Sequence, residues 1–381
     1  MRIMFFDIEL EGHHLEYLHH YYMGAISSPQ NLYFFVVPDT FNKYKSHFEW
    51  PEAKHINFIF IKHEDILKAR KNSMLKSDYE CSRLLKKYIE RLKPERVFLT
   101  MLIHYLPYIL MVKNDKPILS GIIYRIYLYE WANLSMGKKF INVIKFLILS
   151  NCSNIKNIYV LNDRSSAIYL NKVYKTSKFE YLIDPYIPIN KKFINVRNEY
   201  GIPSSKRIYL HFGALSERKG TLTILDSIKL LTLEERKNFV FVFIGNIHLN
   251  IKAEFYKKVE ELQSTINIIV KDEFVDFETL GNFCYTCDVV LLPYKSSIQS
   301  SGVIGYAAQF GKPVIGPSTG ILGKLIRKFN IGYTLKDISA ESLRQIYLMD
   351  FPLKKYGEKY LLNNTISNFV ETIFKPLKEC D

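Results

Sequence analysis

The sequence predicts an α/β protein built from two doubly wound, mostly parallel sheets. Short apolar runs alternate with helical segments along nearly the whole length, the pattern of strands joined by crossover helices. At 381 residues the chain exceeds one ordinary core and suits two. A segment with Pro185, Pro188 and Pro203 interrupts the alternation near the middle and reads as a linker. The expected organisation is therefore a first domain over 1–185, a linker over 186–206, a second domain over 207–350 and a helical tail over 351–381.

In the first domain, Arg2–Phe6 is a strand and Leu15–Gly24 a helix. Leu32–Val37 and His55–Ile61 are the next strands. A helix over Tyr79–Leu92 stops at Pro94, and Arg96–Thr100, Pro117–Ile123, Ile158–Leu161 and Phe179–Ile183 complete the sheet. In the second domain, Ile208–Phe212 runs into Gly213 and the polar turn Ala214–Gly220, followed by an apolar-periodic helix over Thr221–Leu233. Val289–Tyr294 is a second buried strand. It leads through Ser300-Ser301-Gly302 into a helix, then to a strand at Gly311-Lys312-Pro313-Val314-Ile315. The tail is helical from Ala340. Both of these strand-to-helix stretches of the second domain place Gly, Ser and cationic residues where a parallel strand ends and a helix begins, a location whose free N–H groups favour a phosphate.

Composition excludes several classes. The opening Met1–Phe6 run is followed by Asp7, Glu9 and Glu11, unlike a secretory signal. No apolar run reaches the ~18 residues of a spanning helix, so a cytoplasmic protein is expected. Five irregular cysteines argue against a disulfide framework. Cys284 and Cys287 spell Cys-x-x-Cys, but the pair ends a helix and has no further ligands nearby, so packing thiols are expected rather than a redox or zinc site. The net charge of +14 is spread along both halves. That distribution fits an anionic small substrate or an anionic membrane surface better than nucleic acid.

Gly213–Gly220 with its Lys-Gly, Phe243-Ile244-Gly245-Asn246, Asp288–Pro293 and Gly311–Ile315, in this order and spacing, resemble the donor half of GT-B glycosyltransferases, specifically the retaining family 4. The resemblance covers roughly 130 residues. It implies two Rossmann-like domains facing across a cleft, with the C-terminal helix crossing back to the N-terminal domain. It also implies hexose transfer from a nucleotide-diphosphate sugar, used as co-substrate without cofactor or metal, to a glycan or lipid-linked acceptor in bacterial surface-polysaccharide assembly. Two further readings stand beside it: a non-catalytic GT-B protein that binds nucleotide sugars or a partner, and a nucleotide-sugar epimerase.

Within that resemblance Lys219 contacts the donor diphosphate, and Gly213 and Gly245 border it; the bland alternative for Lys219 is a solvated lysine beside a helix start. The arginine that follows the family's glycine is replaced by Ala214, and Arg218 is the candidate substitute. The family's two glutamates, with seven residues between them, fall on Ile298 and Tyr306. Tyr306 is expected near the ribose or packed, and Gln299, Ser300, Ser301 and Gly302 are expected to supply hydrogen bonds, helix capping and close backbone approach. On the acceptor side, Gly12, His13 and His14 form a loop between the first strand and helix. His13 is a catalytic candidate, with surface and metal readings as rivals. His104 and Arg125 follow strand ends and are further candidates. The basic, apolar-heavy segment Lys138–Leu149 is too short to span a bilayer; it reads either as a buried helix or as a surface lying on an anionic membrane.

Overall fold

The structure, a computed structural model, describes residues 1–71, 73–115, 117–124, 126–189, 191–296, 298, 300–352 and 354–378, and the side chains of all but 113–115 and 378 among these. The chain forms two compact units, one of Met1–Ile183 with Ile366–Asp381 and one of Asp184–Thr365.

The first unit holds β1 (Arg2–Phe6), β2 (Leu32–Pro38), β3 (Ile56–Ile61), β4 (Arg96–Leu99), β5 (Ile118–Ile123), β6 (Ile155–Leu161) and β7 (Phe179–Leu182). They form one parallel sheet in the order β3-β2-β1-β4-β5-β6-β7, with the reversal of winding between β1 and β4. The two-residue side-chain period sorts β1 between two cores: Met4 and Phe6 enter one, Ile3 and Phe5 the other. Phe5 stacks on Tyr21 at 5.0 Å and on Phe35 at 5.1 Å, and lies 5.6 Å from Phe374. Phe374 belongs to the helix Ile366–Lys378, so the last helix completes the first unit's core. Gly24 makes this possible, because a Cβ there would stand 2.7 Å from the Phe374 ring and from Val370. The return begins at Ile366, and residues 351–365 stay with the second unit.

The second unit holds β8 (Arg207–Phe212), β9 (Phe239–Ile244), β10 (Asn267–Lys271), β11 (Val289–Leu291), β12 (Val314–Pro317) and β13 (Gly332–Leu335). The parallel order is β10-β9-β8-β11-β12-β13, again reversing beside the unit's first strand. β11 is shorter than the apolar run 289–294 predicts. Leu292 N–H still reaches Ile315 O at 2.7 Å, but Pro293 has no N–H to continue the ladder. Because every strand is parallel, the C-terminal ends of β8, β9 and β11 share one edge, where Gly213 follows β8 and Gly245 follows β9.

Cys81, Cys152, Cys284 and Cys287 are buried free thiols, while Cys380 lies outside the described residues. Burial raises the Cys287 thiol to about 12, which suits a packing role. No helix among the described residues is long and apolar enough to cross a membrane.

Candidate functional site

In the second unit β8 and β9 end on two adjacent glycines. Gly213 has φ 95° and Gly245 φ 124°, and a Cβ on Gly245 would lie 2.2 Å from Gly213 O. Side chains are thus excluded where the two loops meet. After Gly213 the chain makes one turn of 3₁₀ helix, Glu217–Lys219, and passes through left-handed Gly220 into the helix Thr221–Lys229. Gly220 abuts Pro293 O, which its absent Cβ would approach to 2.1 Å.

This turn folds Lys219 back over the strand end. Its Nζ lies 2.7 Å from where a Cβ of Gly213 would be and 5.5 Å from the Tyr294 ring centre. The Arg218 guanidinium stands 5.7 Å from the same ring. Both cations therefore border one buried aromatic. The Tyr294 and Ser301 hydroxyls are 3.0 Å apart, so the loop before the helix Val303–Gln309 is tied to this platform.

Ser300 and Ser301 do not cap that helix. Its N-cap is Gly302, with no side-chain cap bond, because the two hydroxyls are turned elsewhere. Ser300 donates to Asp184 Oδ2 at 2.7 Å, and Asp184 O in turn accepts from Asn364 Nδ2 at 2.9 Å and from Tyr360. Tyr306 is half-buried and meets Phe212 edge-on, ring centres 5.7 Å apart. Ile298 is half-buried, and Gln299 lies outside the described residues.

The strand sequence hid one further residue. His211, buried in β8, donates from Nδ1 to Leu291 O at 2.9 Å and accepts at Nε2 from the Thr221 hydroxyl at 3.0 Å. Burial, together with the Lys219 charge, pulls its pKa down to about 4 against the lift from the Leu291 carbonyl. A neutral imidazole thus ties β8, β11 and the helix start together beneath Lys219. The available signal was a lone histidine in an apolar strand just before the glycine.

In the first unit the residues after β1 build a separate cluster. Gly12, at φ 62°, precedes the helix His13–Ile26. His13 is largely exposed and its Nδ1 pairs with Glu16 at 3.0 Å. His14 is buried, with Nδ1 2.8 Å from Asp7 Oδ2, Nε2 3.3 Å from Glu9 Oε2, and its ring stacked 6.0 Å from Tyr124. Glu9 also pairs with Arg70 and has His104 Nδ1 at 3.9 Å. Burial and then the Arg70 charge pull His104 down to about 4. The structure thus brings His14 and His104 to one carboxylate, Glu9, and turns His13 away from it. The acidic residues directly after the first strand were the signal for this cluster. Arg125 lies outside the described residues.

Residues 192–346 match the family model Glycosyl transferases group 1, entirely within the second unit. Among solved structures, the chain is similar to HepE of Anabaena in complex with UDP and glucose, with TM-score 0.70, 12% identity and full coverage of both chains. It is likewise similar to a glycosyltransferase from Rickettsia africae, TM-score 0.67, 15% identity, covering 100% of this chain and 99% of that one. WaaG, a glycosyltransferase involved in lipopolysaccharide biosynthesis, gives TM-score 0.67 at 14% identity with full coverage of both. No curated protein sequence matches. At such identities the structural likeness speaks for the fold. The chain has the GT-B fold, and the match to the group 1 glycosyl transferase model falls on the part of the chain where the sequence motifs lie.

Proposed function

We propose that the protein transfers a hexose from a nucleotide-diphosphate sugar to a glycan or lipid-linked acceptor, with retained anomeric configuration and without a metal ion. The observation that carries this reading is the Lys219 amine held over Gly213, beside Gly245, at the C-terminal edge of the second sheet. As the bond from the sugar C1 to the diphosphate oxygen breaks, negative charge grows on that oxygen. A fixed ammonium and guanidinium above a site with no intruding side chains stabilise it without reorganisation. The acceptor hydroxyl then bonds to C1 and passes its proton to the departing diphosphate oxygen, which leaves as the nucleoside diphosphate. The Glu9, His14 and His104 cluster supplies polar groups suited to sugar hydroxyls.

HepE crystallised with UDP and glucose supports a uridine donor, and the WaaG likeness supports a setting in bacterial surface-polysaccharide assembly. Peripheral contact with the cytoplasmic membrane face is part of the proposal. The helix Met136–Asn151 buries Lys145, Phe146 and Leu149 but exposes Met136, Phe140 and Leu147 beside Lys138.

Calorimetry with a panel of nucleoside diphosphates, followed by transfer assays with and without chelator, tests the reading. Binding of one diphosphate, and turnover that survives chelator, are expected. Ile298 and the Tyr306–Phe212 contact, where the family has glutamates, favour a second reading of a binding protein without turnover. Diphosphate binding with no transfer or hydrolysis of any sugar nucleotide establishes that second reading. No binding at millimolar concentration defeats both.

A further inference from the structure

At the opposite edge of the second sheet, where β8, β11 and β12 begin, the loops enclose a groove of about 710 Å³. Five cations line it, Lys206, Arg207, Lys312, Lys354 and Lys355, against one carboxylate, Asp288. That carboxylate is already engaged by Arg197 Nη2 at 2.9 Å and by the Ile208 N–H at 2.7 Å. Arg207 is engaged as well. It donates to Tyr347 O at 3.0 Å and Met349 O at 2.7 Å, pairs with Asp350 at 3.4 Å, and lies 5.1 Å from the Phe351 ring centre. The four lysines have no such neutralisation: no carboxylate among the described residues pairs with Lys206, Lys312 or Lys355, and Lys354 rests 4.9 Å from the Tyr356 ring centre.

The lysines are held by the backbone rather than scattered. Tyr356 N–H donates to Gly311 O at 3.2 Å, which sets the 354–356 segment against Gly311-Lys312. The Lys355 stem lies where a Cβ of Gly311 would meet its Cα, Cβ and Cγ at 3.4 Å. Like charges on one concave wall raise the local potential and concentrate anions, and within a screening length of about 8 Å they act together. Ammonium groups with spare N–H donors above aromatic walls suit a compact multiply charged oxyanion.

We propose that this groove is a second anion site of the protein, which takes a phosphate monoester or diphosphate and is separate from the Lys219 edge. A soluble phosphorylated compound and a phospholipid headgroup share that chemistry.

Two probes test it: inorganic pyrophosphate by calorimetry, and sedimentation with phosphatidylglycerol against phosphatidylcholine vesicles. Both use the full chain carrying Lys219→Ala, which weakens the proposed donor site, so that the groove variants are read against this common background. Adding Lys312→Ser and Lys355→Ser is expected to weaken at least one probe tenfold or more, with unchanged circular dichroism and unfolding midpoint. The exposed single variant Lys355→Ser gives a smaller loss in the same direction. A loss confined to pyrophosphate assigns a soluble ligand, and a loss with phosphatidylglycerol vesicles assigns the headgroup. The proposal is overturned by no groove-dependent loss with either probe, or by an equal loss in the charge control Lys172→Ser/Lys175→Ser.

Discussion

Lys219 and Gly213 act as one device, because the glycine's missing side chain is the space the ammonium occupies. With the proposed donor contact, Lys219→Ala removes one charge-assisted interaction, so kcat/KM is expected to fall tenfold to a hundredfold, about 1.5–3 kcal/mol, in a normally folded protein. Steady-state kinetics with the preferred donor checks this, and unchanged kinetics would remove Lys219 from the site. Gly213→Ala should be as harmful to donor use although it deletes no functional group. The methyl displaces the amine and meets a positive φ of 95°, which adds about 1–3 kcal/mol of strain. Donor affinity measured beside the unfolding midpoint separates the two effects. A Gly213→Ala protein with native donor affinity contradicts the pairing.

At the scale of elements, strand and helix positions were legible because both sheets obey simple periods. Leu32–Pro38 and Phe239–Ile244 are unbroken apolar runs buried on both faces, as parallel strands must be. The glycine turns were legible for the same reason, since a glycine at a strand end has few other uses. What stayed hidden were side-chain partners from distant segments. Nothing in Ser300 announces Asp184, 116 positions earlier, and nothing in the local pattern separates His13 from His14. The basic helix Met136–Asn151 shows the same limit, since its sequence left burial and exposure open and the structure contains both. Its inner face carries Lys145, whose Nζ bonds Asp78 Oδ2 at 2.7 Å with both groups buried. Burial raises the Asp78 pKa against that pairing. Lys145→Met should therefore destabilise the first unit by about 3–5 kcal/mol, because a carboxylate is left unpaired inside. Lys145→Met with Asp78→Leu should recover most of the loss. Urea unfolding decides it, and a double variant no better than the single would show that the pair contributes more than its own neutralisation.

For the whole molecule, depressed histidines set an acid limit in each unit: His20 and the more exposed His104 in the first, His211 in the second. Burial holds His20 down to about 3 and His211 down to about 4, against an ordinary 6.5. A histidine whose folded pKa is depressed adds stability above its unfolded pKa, and that stability drains as pH falls toward the folded value. Below about pH 6.5 the unfolded chain takes up protons that the folded one refuses. The second unit should then lose about 2 kcal/mol between pH 7.5 and pH 5 through His211, and the first about as much through His20 plus a smaller, solvent-screened part through His104. Urea midpoints at pH 7.5, 6 and 5 test this, and a flat profile would mean that these imidazoles are protonated in the native state.

The helix Ile366–Lys378 has a consequence for how the protein is made. Its Phe369, Ile373, Phe374 and Leu377 belong to a core whose other members all lie before residue 184. The intervening unit spans residues 184–365, or 182 residues. At about 5–20 residues per second, a ribosome needs on the order of 10–40 s to cross that distance. During this interval the early-made sheet waits with an unfilled aromatic face, including Phe5 and Tyr21, while the later-made unit has all its own sequence and can close first. The nascent chain is thus exposed to chaperones along residues 1–183 rather than along 184–365. A stop codon after Thr365, which at first sight trims only a terminal helix, would leave the opening half of the protein permanently unfinished. Ribosome-bound chains released at increasing lengths and probed with protease should show the 184–365 segment becoming resistant before residues 1–183 do.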